Sequence, residues 1–356
     1  MEPVSDSLID RFAREALRLR TEYEFRTFWL GTRLAGPVTA EEAIALKREV
    51  NRRVGERIER TAPDLVATLE SPEARIALVY PEGRAEIARL KPLFVYGRYR
   101  KLSREIPQSR WPCRWCRGKG CGRCKGTGKT FQRSVEELVA APILAACRAT
   151  GTKMHATGRE DVDARMLGQG RPFVLELAMP RVRTFDLAPI QDEINHACPG
   201  SERPLCCGGC AGEVEVEQLQ FGDQALCQRV TLATPDKSYR MQVDCLAPAR
   251  REAVERLARL RDAVLTQETP RRVLHRRPNL TRRRTVRNCS VEIAEGGDEV
   301  RRFRLTLRVQ SGAYVKEFVS GDEGRTRPSI AQLLGVPCDC AELDVLEVHC
   351  DPLRDG

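Results

Sequence analysis

Four cysteines fall within twelve residues, as Cys113-x2-Cys116-x4-Cys121-x2-Cys124, and this spacing restricts the local fold more than any other feature of the chain. Two CxxC turns, relieved by Gly118, Gly120, Gly126 and Gly128, can bring four sulfurs to the corners of a tetrahedron with the ~2.3 Å bonds that Zn2+ requires. An all-thiolate set leaves no open coordination position, so the expected zinc is structural and not catalytic. Its binding energy, about 10–16 kcal/mol in small zinc peptides, would then be folding energy for this segment. The competing reading is four reduced thiols without metal. The N-terminus has neither the basic nor the apolar region of a secretory leader, so a cytoplasmic location is expected, and there 15 cysteines argue for metal before disulfides. Cys198, Cys206, Cys207 and Cys210, and separately Cys338, Cys340 and Cys350, are less readable. Each group reads as small buried apolar residues or loop thiols before a second metal site.

Around this segment the hydrophobic pattern changes character. Before it, Leu8, Phe12, Ala16 and Leu19, then Ala43, Leu46, Val50, Val54 and Ile58, have helical spacing over 6–19 and 40–60. Residues 25–30, 66–69, 75–80 and 93–96 read as strands between and after them. Beyond it, a helix is expected over 134–150, and further helices over 187–196, 247–267 and 329–335. Strands are expected at 173–178, 213–219, 226–233, 238–245, 285–294, 302–310, 313–319 and 343–349. Many strands with few helices imply an α+β chain built on a large, mostly antiparallel mixed sheet flanked by helices. The expected division is an α/β module at 1–108, the cysteine knuckle at 109–130 and a larger domain at 131–356. Pro204 and Cys206-Cys-Gly-Gly-Cys210 mark a mobile loop. No apolar run approaches the ~18 residues that a membrane span needs.

Charge points to a polyanion. Lys and Arg total 60 against 50 Asp and Glu, a net charge of +10, and the arginines are clustered. One cluster holds Arg271, Arg272, Arg276, Arg277, Arg282, Arg283, Arg284 and Arg287; a second is Gly97-Arg-Tyr-Arg-Lys-Leu-Ser-Arg104. Guanidinium forks pair with phosphate bidentately, so both read as nucleic-acid contacts, against a solvated face or thermophile-style ion pairing. His155, His196, His275 and His349 are too scattered for a histidine site. No Gly-x-Gly-x-x-Gly follows a strand and no Lys-Ser/Thr phosphate loop is present, which argues against an RNA methyltransferase or thiolation enzyme.

The stretch from Gly158 to Phe173 carries the chemistry. It sets Asp161 and Asp163 among Arg159, Arg165 and Arg171, between turn-forming glycines and an apolar strand. Acids held among fixed cations suit work on an anionic polymer, although a salt-bridged surface loop has the same composition.

Gly158-Arg-Glu-Asp161, Tyr96-Gly-Arg-Tyr-Arg-Lys-Leu-Ser-Arg104, Ile106-Pro-Gln-Ser-Arg-Trp111, Ser134-Val-Glu-Glu-Leu138, Lys237-Ser-Tyr239 and Gly312-Ala-Tyr-Val-Lys316 together resemble the THUMP-containing archaeal and eukaryotic tRNA pseudouridine synthases, which modify the TΨC loop. The likeness runs from about Tyr96 to His349 and is fainter before. It implies a THUMP-containing tRNA-binding domain at 1–108 and a synthase domain at 131–356. It also implies the tRNA TΨC arm as partner, at tRNA positions 54 and 55, with no organic cofactor, no membrane and no obligate protein partner. By the same resemblance Asp161 is the catalytic aspartate, with Asp163 its rival. Arg159 holds the everted nucleotide by phosphate, Tyr239 stacks under the uracil, Tyr314 lines the uridine pocket, and Lys316, on a strand, keeps Asp161 ionised. The chain has no cysteine before Cys113, where relatives often carry an N-terminal CxxC, so its N-terminus reads as shortened. Another likeness points elsewhere. CRWCRGKG and CGRCKGTG look like the zinc repeats of J-domain chaperones, though two repeats stand in place of four and no J-domain is present. The alternative is therefore a non-catalytic zinc-containing RNA-binding or chaperone-like protein.

Overall fold

The helical spacing near the N-terminus folds into two capped helices. The structure, a computed structural model, describes residues 4–35, 39–196, 212–275, 277–294 and 297–354. Helix α1 (Asp6–Arg18) starts at Ser5, whose hydroxyl accepts from the Leu8 amide. Between it and α2 (Ala40–Thr61) lies strand β1 (Thr27–Leu34), and α2 opens with a reciprocal Thr39/Glu42 capping box. Strands β2 (Val66–Ala67), β3 (Ala74–Tyr80) and β4 (Arg84–Leu90) complete a four-stranded sheet in the order β2-β1-β3-β4. β1 runs parallel to both β2 and β3, and β4 is antiparallel to β3. The helices bury Ile9, Phe12, Val50, Val54 and Ile58 against Phe28, Leu30, Ile76 and Leu78 of the sheet. Strand β4 has no counterpart among the expected strands: as an edge it buries only Leu90, so its sequence shows no alternation.

Contacts divide the chain into two compact units, Met1–Val95 with Ala140–Lys153 and Leu175–Leu187, and Tyr96–Val139 with Met154–Val174 and Ala188–Gly356. Four elements have residues in both: β5 (Leu93–Lys101), α3 (Val135–Cys147), β6 (Gly151–Ala156) and β7 (Ala164–Ala178). The second unit continues with α4 (Ala188–Asn195), β8 (Val214–Gly222), α5 (Gln224–Leu232), β9 (Lys237–Arg250), α6 (Arg251–Arg256), β10 (Val264–Glu268), β11 (Thr281–Glu292) and β12 (Glu299–Val309). It ends with α7 (Val315–Ser320), β13 (Thr326–Arg327), α8 (Ile330–Leu334) and β14 (Cys338–Val348). A ten-stranded sheet runs β13-β10-β11-β12-β9-β14-β7-β5-β8, with β6 paired to β7. Its pairings from β13 to β14 are antiparallel, while β14 and β7 are parallel, so the large sheet is mixed. Phe303, Leu305 and Leu307 of β12 and Met241 and Val243 of β9 are buried with Val254, Phe318 and Ile330 of the flanking helices.

Three expected elements differ. Residues 226–233, expected as a strand, are helical: Asp223 caps α5 by accepting from the Leu226 amide at 2.7 Å, and Leu226, Cys227 and Val230 share its buried face. Residues 313–319, also expected as a strand, hold α7, where Val315, Phe318 and Val319 have helical spacing and Gly321 ends the helix in a left-handed conformation. The helix expected over 247–267 is broken instead into the end of β9, α6, a 3-10 turn at Leu257–Leu260 and β10, with a positive φ at Asp262 in the turn between. Cys198, Cys206, Cys207 and Cys210, and the mobile loop expected there, lie outside the described residues, as does Arg276. Among the described residues no helix is long and apolar enough to cross a membrane.

Candidate active site

The loop that carries Asp161 is held from beneath by buried charge. Glu160, next to Asp161 in the chain, pairs with Arg171 at 2.9 Å, both side chains being excluded from solvent. An ion pair so buried is stable only if its remaining polar atoms are satisfied. Here Tyr99 donates to Glu160 at 2.9 Å, Gln108 donates to the Tyr99 hydroxyl at 2.7 Å, and Arg171 donates to the Thr157 carbonyl at 2.6 Å. Lys101, fully buried, donates to the carbonyls of Ile106 (3.1 Å), Asp161 (3.4 Å) and Val162 (2.7 Å). Burial pushes its ammonium down to about 8, against the pull of Glu160 and Asp163. Gly158 turns the loop at φ +78°, a region that costs an L-residue. A side chain there would also collide with Lys237, whose Nζ lies 2.7 Å from the Cβ position.

On the open side of the loop the acids meet two cations. Arg272 donates to Asp161 at 3.2 Å and lies 3.1 Å from its other oxygen, while its Nε pairs with Glu317 at 2.6 Å. Both carboxylates raise the Arg272 guanidinium above its ordinary value, against the opposing effect of burial. Lys316 donates to both oxygens of Asp163, at 2.8 and 2.7 Å, and stands 3.7 Å from Asp161. Burial alone would raise the Asp163 carboxyl; the Lys316 hydrogen bond and charge outweigh it and hold the group below the ordinary carboxylate value. The expected basic partner is thus beside Asp161, but its hydrogen bonds go to Asp163. It also projects from the first turn of α7 and not from a strand.

Of these groups Asp161, Arg272 and Lys316 line a cavity of about 640 Å³, within the range of small-molecule sites. Asp161, Arg159, Tyr239, Tyr314 and Lys316, all singled out in the sequence, line it together. Lys237, Arg171, Arg272, Arg282, Trp111, Val315, Leu343 and Val345 line it too. Tyr239 projects from β9; burial pushes its hydroxyl up to about 12, although Arg171 opposes the shift. Arg159 lies over the Trp111 ring at 5.1 Å and Arg282 over the Tyr314 ring at 6.0 Å, both within cation–π range. An aromatic-walled pocket with a carboxylate and several guanidinium groups suits a nucleotide: faces for the base, cations for phosphate, an acid for the sugar.

The four expected ligand sulfurs of Cys113, Cys116, Cys121 and Cys124 all lie within 4.8 Å of one another. Cys116 and Cys124 are 3.8 Å apart and Cys121 and Cys124 3.6 Å. A tetrahedral ZnS4 centre with ~2.3 Å bonds has S···S edges of about 3.8 Å, so the donor set fits such an ion. The two halves repeat: the Gly120 amide donates to Cys116 Sγ at 3.2 Å and the Gly128 amide to Cys124 Sγ at 3.3 Å. A Cβ on Gly128 would lie 2.3 Å from the Gly118 carbonyl, so only glycine allows the halves to interlock. Among the described residues, Cys338, Cys340 and Cys350 form no comparable group; Cys338 instead faces Cys245 across the β9–β14 pair, sulfurs 3.6 Å apart.

Sequence reasoning did not single out Glu160, Lys101, Lys237 or Trp111 for the site, and placed Arg272 only within a basic cluster. The available signal was membership of motif segments: Glu160 in Gly158–Asp161, Lys237 in Lys237–Tyr239, Lys101 in Tyr96–Arg104 and Trp111 in Ile106–Trp111. Comparison with known proteins gives a consistent assignment. The family model described as "Pus10, C-terminal" matches residues 94–349. The tRNA pseudouridine synthase Pus10 of Methanothrix thermoacetophila is 41% identical over 91% of this chain and 70% of its own length. That of Methanocaldococcus jannaschii is 38% identical over 98% and 74%, and that of Archaeoglobus fulgidus 36% identical over 96% and 92%. Among solved structures, the archaeal box H/ACA sRNP Nop10-Cbf5 complex is 14% identical, with a TM-score of 0.32 over 71% of this chain and 47% of that one.

Proposed function

The chain belongs to the Pus10 family of tRNA pseudouridine synthases, and on that premise we propose that it isomerises uridine to pseudouridine in the TΨC loop of tRNA, at position 54, position 55 or both. The reaction breaks the N1–C1′ bond, turns the uracil and rejoins it through C5, with no organic cofactor. The target must leave its stack at a cost of a few kcal/mol, offset by an aromatic platform and edge hydrogen bonds. The observation that carries the reading is that the Asp161 carboxylate and the Tyr239 ring line one cavity. Tyr239 supports the base, Tyr314 closes the pocket beside it, and Asp161 reaches the ribose as nucleophile at C1′ or base at C2′. Arg159 takes a phosphate. Lys316 and Arg272 hold the Asp161 carboxylate in place, within 4 Å of its oxygens.

The 1–108 region is read as the THUMP-containing tRNA-binding domain, 109–130 as a knuckle holding structural Zn2+ on Cys113, Cys116, Cys121 and Cys124, and 131–356 as the synthase domain. The test incubates the protein with unmodified tRNA without cofactor and maps pseudouridine by carbodiimide treatment and primer extension. A new stop in the TΨC arm is expected; no stop would leave the RNA-binding alternative. D161N should abolish the stop while tRNA binding survives, and a D161N protein that still turns over, with D163N inactive, would move the role to Asp163.

A further inference from the structure

Most cations of the cavity wall are already engaged: Arg171 with Glu160, Arg272 with Asp161 and Glu317, Lys316 with Asp163, and Arg282 with the Thr269 hydroxyl. Lys237 differs. It lines the same cavity, yet among the described residues its ammonium has no hydrogen bond and no ion pair. Its place is also built into the motif that carries Asp161, because Gly158 leaves free the volume that the Lys237 Nζ approaches. Burial, with Arg171 adding repulsion, lowers the ammonium to about 8, so an acceptor oxygen brought into the cavity would find a poorly solvated donor.

Strand geometry says which oxygen. Lys237 and Tyr239 are two residues apart on β9, on one face and roughly 6.6 Å along the strand. In the sheet Tyr239 pairs with Val345 and Lys237 with Val348 of β14, while Leu343 and Val345 pair with Ala164 and Met166 of β7, so the row of Tyr239 lies nearer than that of Lys237 to the start of β7, which Asp161 precedes by three residues. Lys237 therefore stands at the end of the platform away from Asp161. A uracil lying on Tyr239 with its ribose toward Asp161 directs O4, the carbonyl across the ring from N1, to that end. We propose that Lys237 donates a hydrogen bond to O4 of the bound uracil and so favours uridine over cytidine, whose C4 amino group is itself a donor. This rests on the isomerase reading above. Turning the freed base about its N3–C6 axis exchanges O4 with O2, so the same ammonium finds a carbonyl before and after the turn.

The test measures single-turnover rates on unmodified tRNA carrying uridine or 4-thiouridine at the target position, with wild-type protein, K237M and K237Q. Wild type should lose roughly tenfold on the sulfur exchange, sulfur being the weaker acceptor. K237M should start ten- to a hundredfold below wild type on uridine, keep its tRNA affinity, and lose little more on 4-thiouridine; K237Q, which retains a neutral donor, should fall between. Equal sensitivity of wild type and K237M to the exchange would overturn the assignment, as would wild-type rates in K237M. Weakened tRNA binding with one fewer phosphate contact in its salt dependence would assign Lys237 to the backbone and equally overturn it. Wild-type protein that leaves the uridine substrate unchanged would instead overturn the isomerase reading itself.

Discussion

Asp161 is flanked by two cations that reach it from separate segments, and the two differ in what else they hold. Arg272 is tied to Glu317 as well, Lys316 to Asp163, so Asp161 and each of its two cations hold two partners. The five residues marked by motifs (Arg159, Asp161, Tyr239, Tyr314, Lys316) were legible because each lies in a short run with its own signature. Arg272 was not: it is 111 positions from Asp161, and nothing local to Arg271-Arg272-Val273 says which of the clustered arginines turns inward. Lys101 was hidden for a related reason, since its partners are main-chain carbonyls, which have no sequence signature. A residue-scale prediction concerns Asp344, buried and accepting from Arg165 Nε and Nη2 at 2.8 Å each and from Arg104 at 2.7 Å. Burial would raise this carboxyl, but the arginines outweigh it and hold it below the ordinary value. With the folded value below the unfolded one, near 3.9, the contribution is present above that value and is lost as pH falls through the folded one. D344N should therefore cost about 1–3 kcal/mol at neutral pH in denaturant melts and flatten the acid limb of the stability curve. An unchanged acid limb would show that the pairs contribute nothing net.

At the scale of elements, the knuckle is the clearest case of local sequence specifying local structure. Its ligands, glycines and turn amides all lie within Cys113–Gly128, so no distant contact is required to gather the sulfurs. C116S should lower metal content by one zinc per chain in elemental analysis and leave the segment open to protease; unchanged content would refute zinc at this position. Elements whose state depends on packing were harder. Val315-Lys-Glu-Phe-Val-Ser320 and Gln224–Leu232 are rich in β-branched and apolar residues at lengths where strand and helix patterns overlap. In α5 a cap decides the outcome, in α7 the burial of Phe318 and the turn at Gly321. The central strand β12 was readable because alternate residues are buried on one face only, as Phe303, Leu305, Leu307 and Val309 show.

For the whole molecule, the net charge of +10 and the arginine-rich cavity wall predict strongly salt-dependent tRNA binding. The logarithm of the association constant should fall linearly with the logarithm of salt, with a slope of about −0.7 to −0.9 per phosphate neutralised. A flat response in filter binding or anisotropy would count against the arginine clusters as phosphate contacts. The primary structure by itself determined the helices of the first unit, the large mixed sheet and the clustering of four thiols, because each follows from spacing within a few turns of chain, whereas the motif residues were marked by family resemblance. Only tertiary structure decided that Arg272 is the cation bonded to Asp161, that Lys316 bonds Asp163 first, and that Lys237 Nζ comes to Gly158 without an ion pair among the described residues. Those outcomes depend on distances between side chains far apart in the chain, which are set by the packing of β9, α7 and the Asp161 loop and have no counterpart in local pattern.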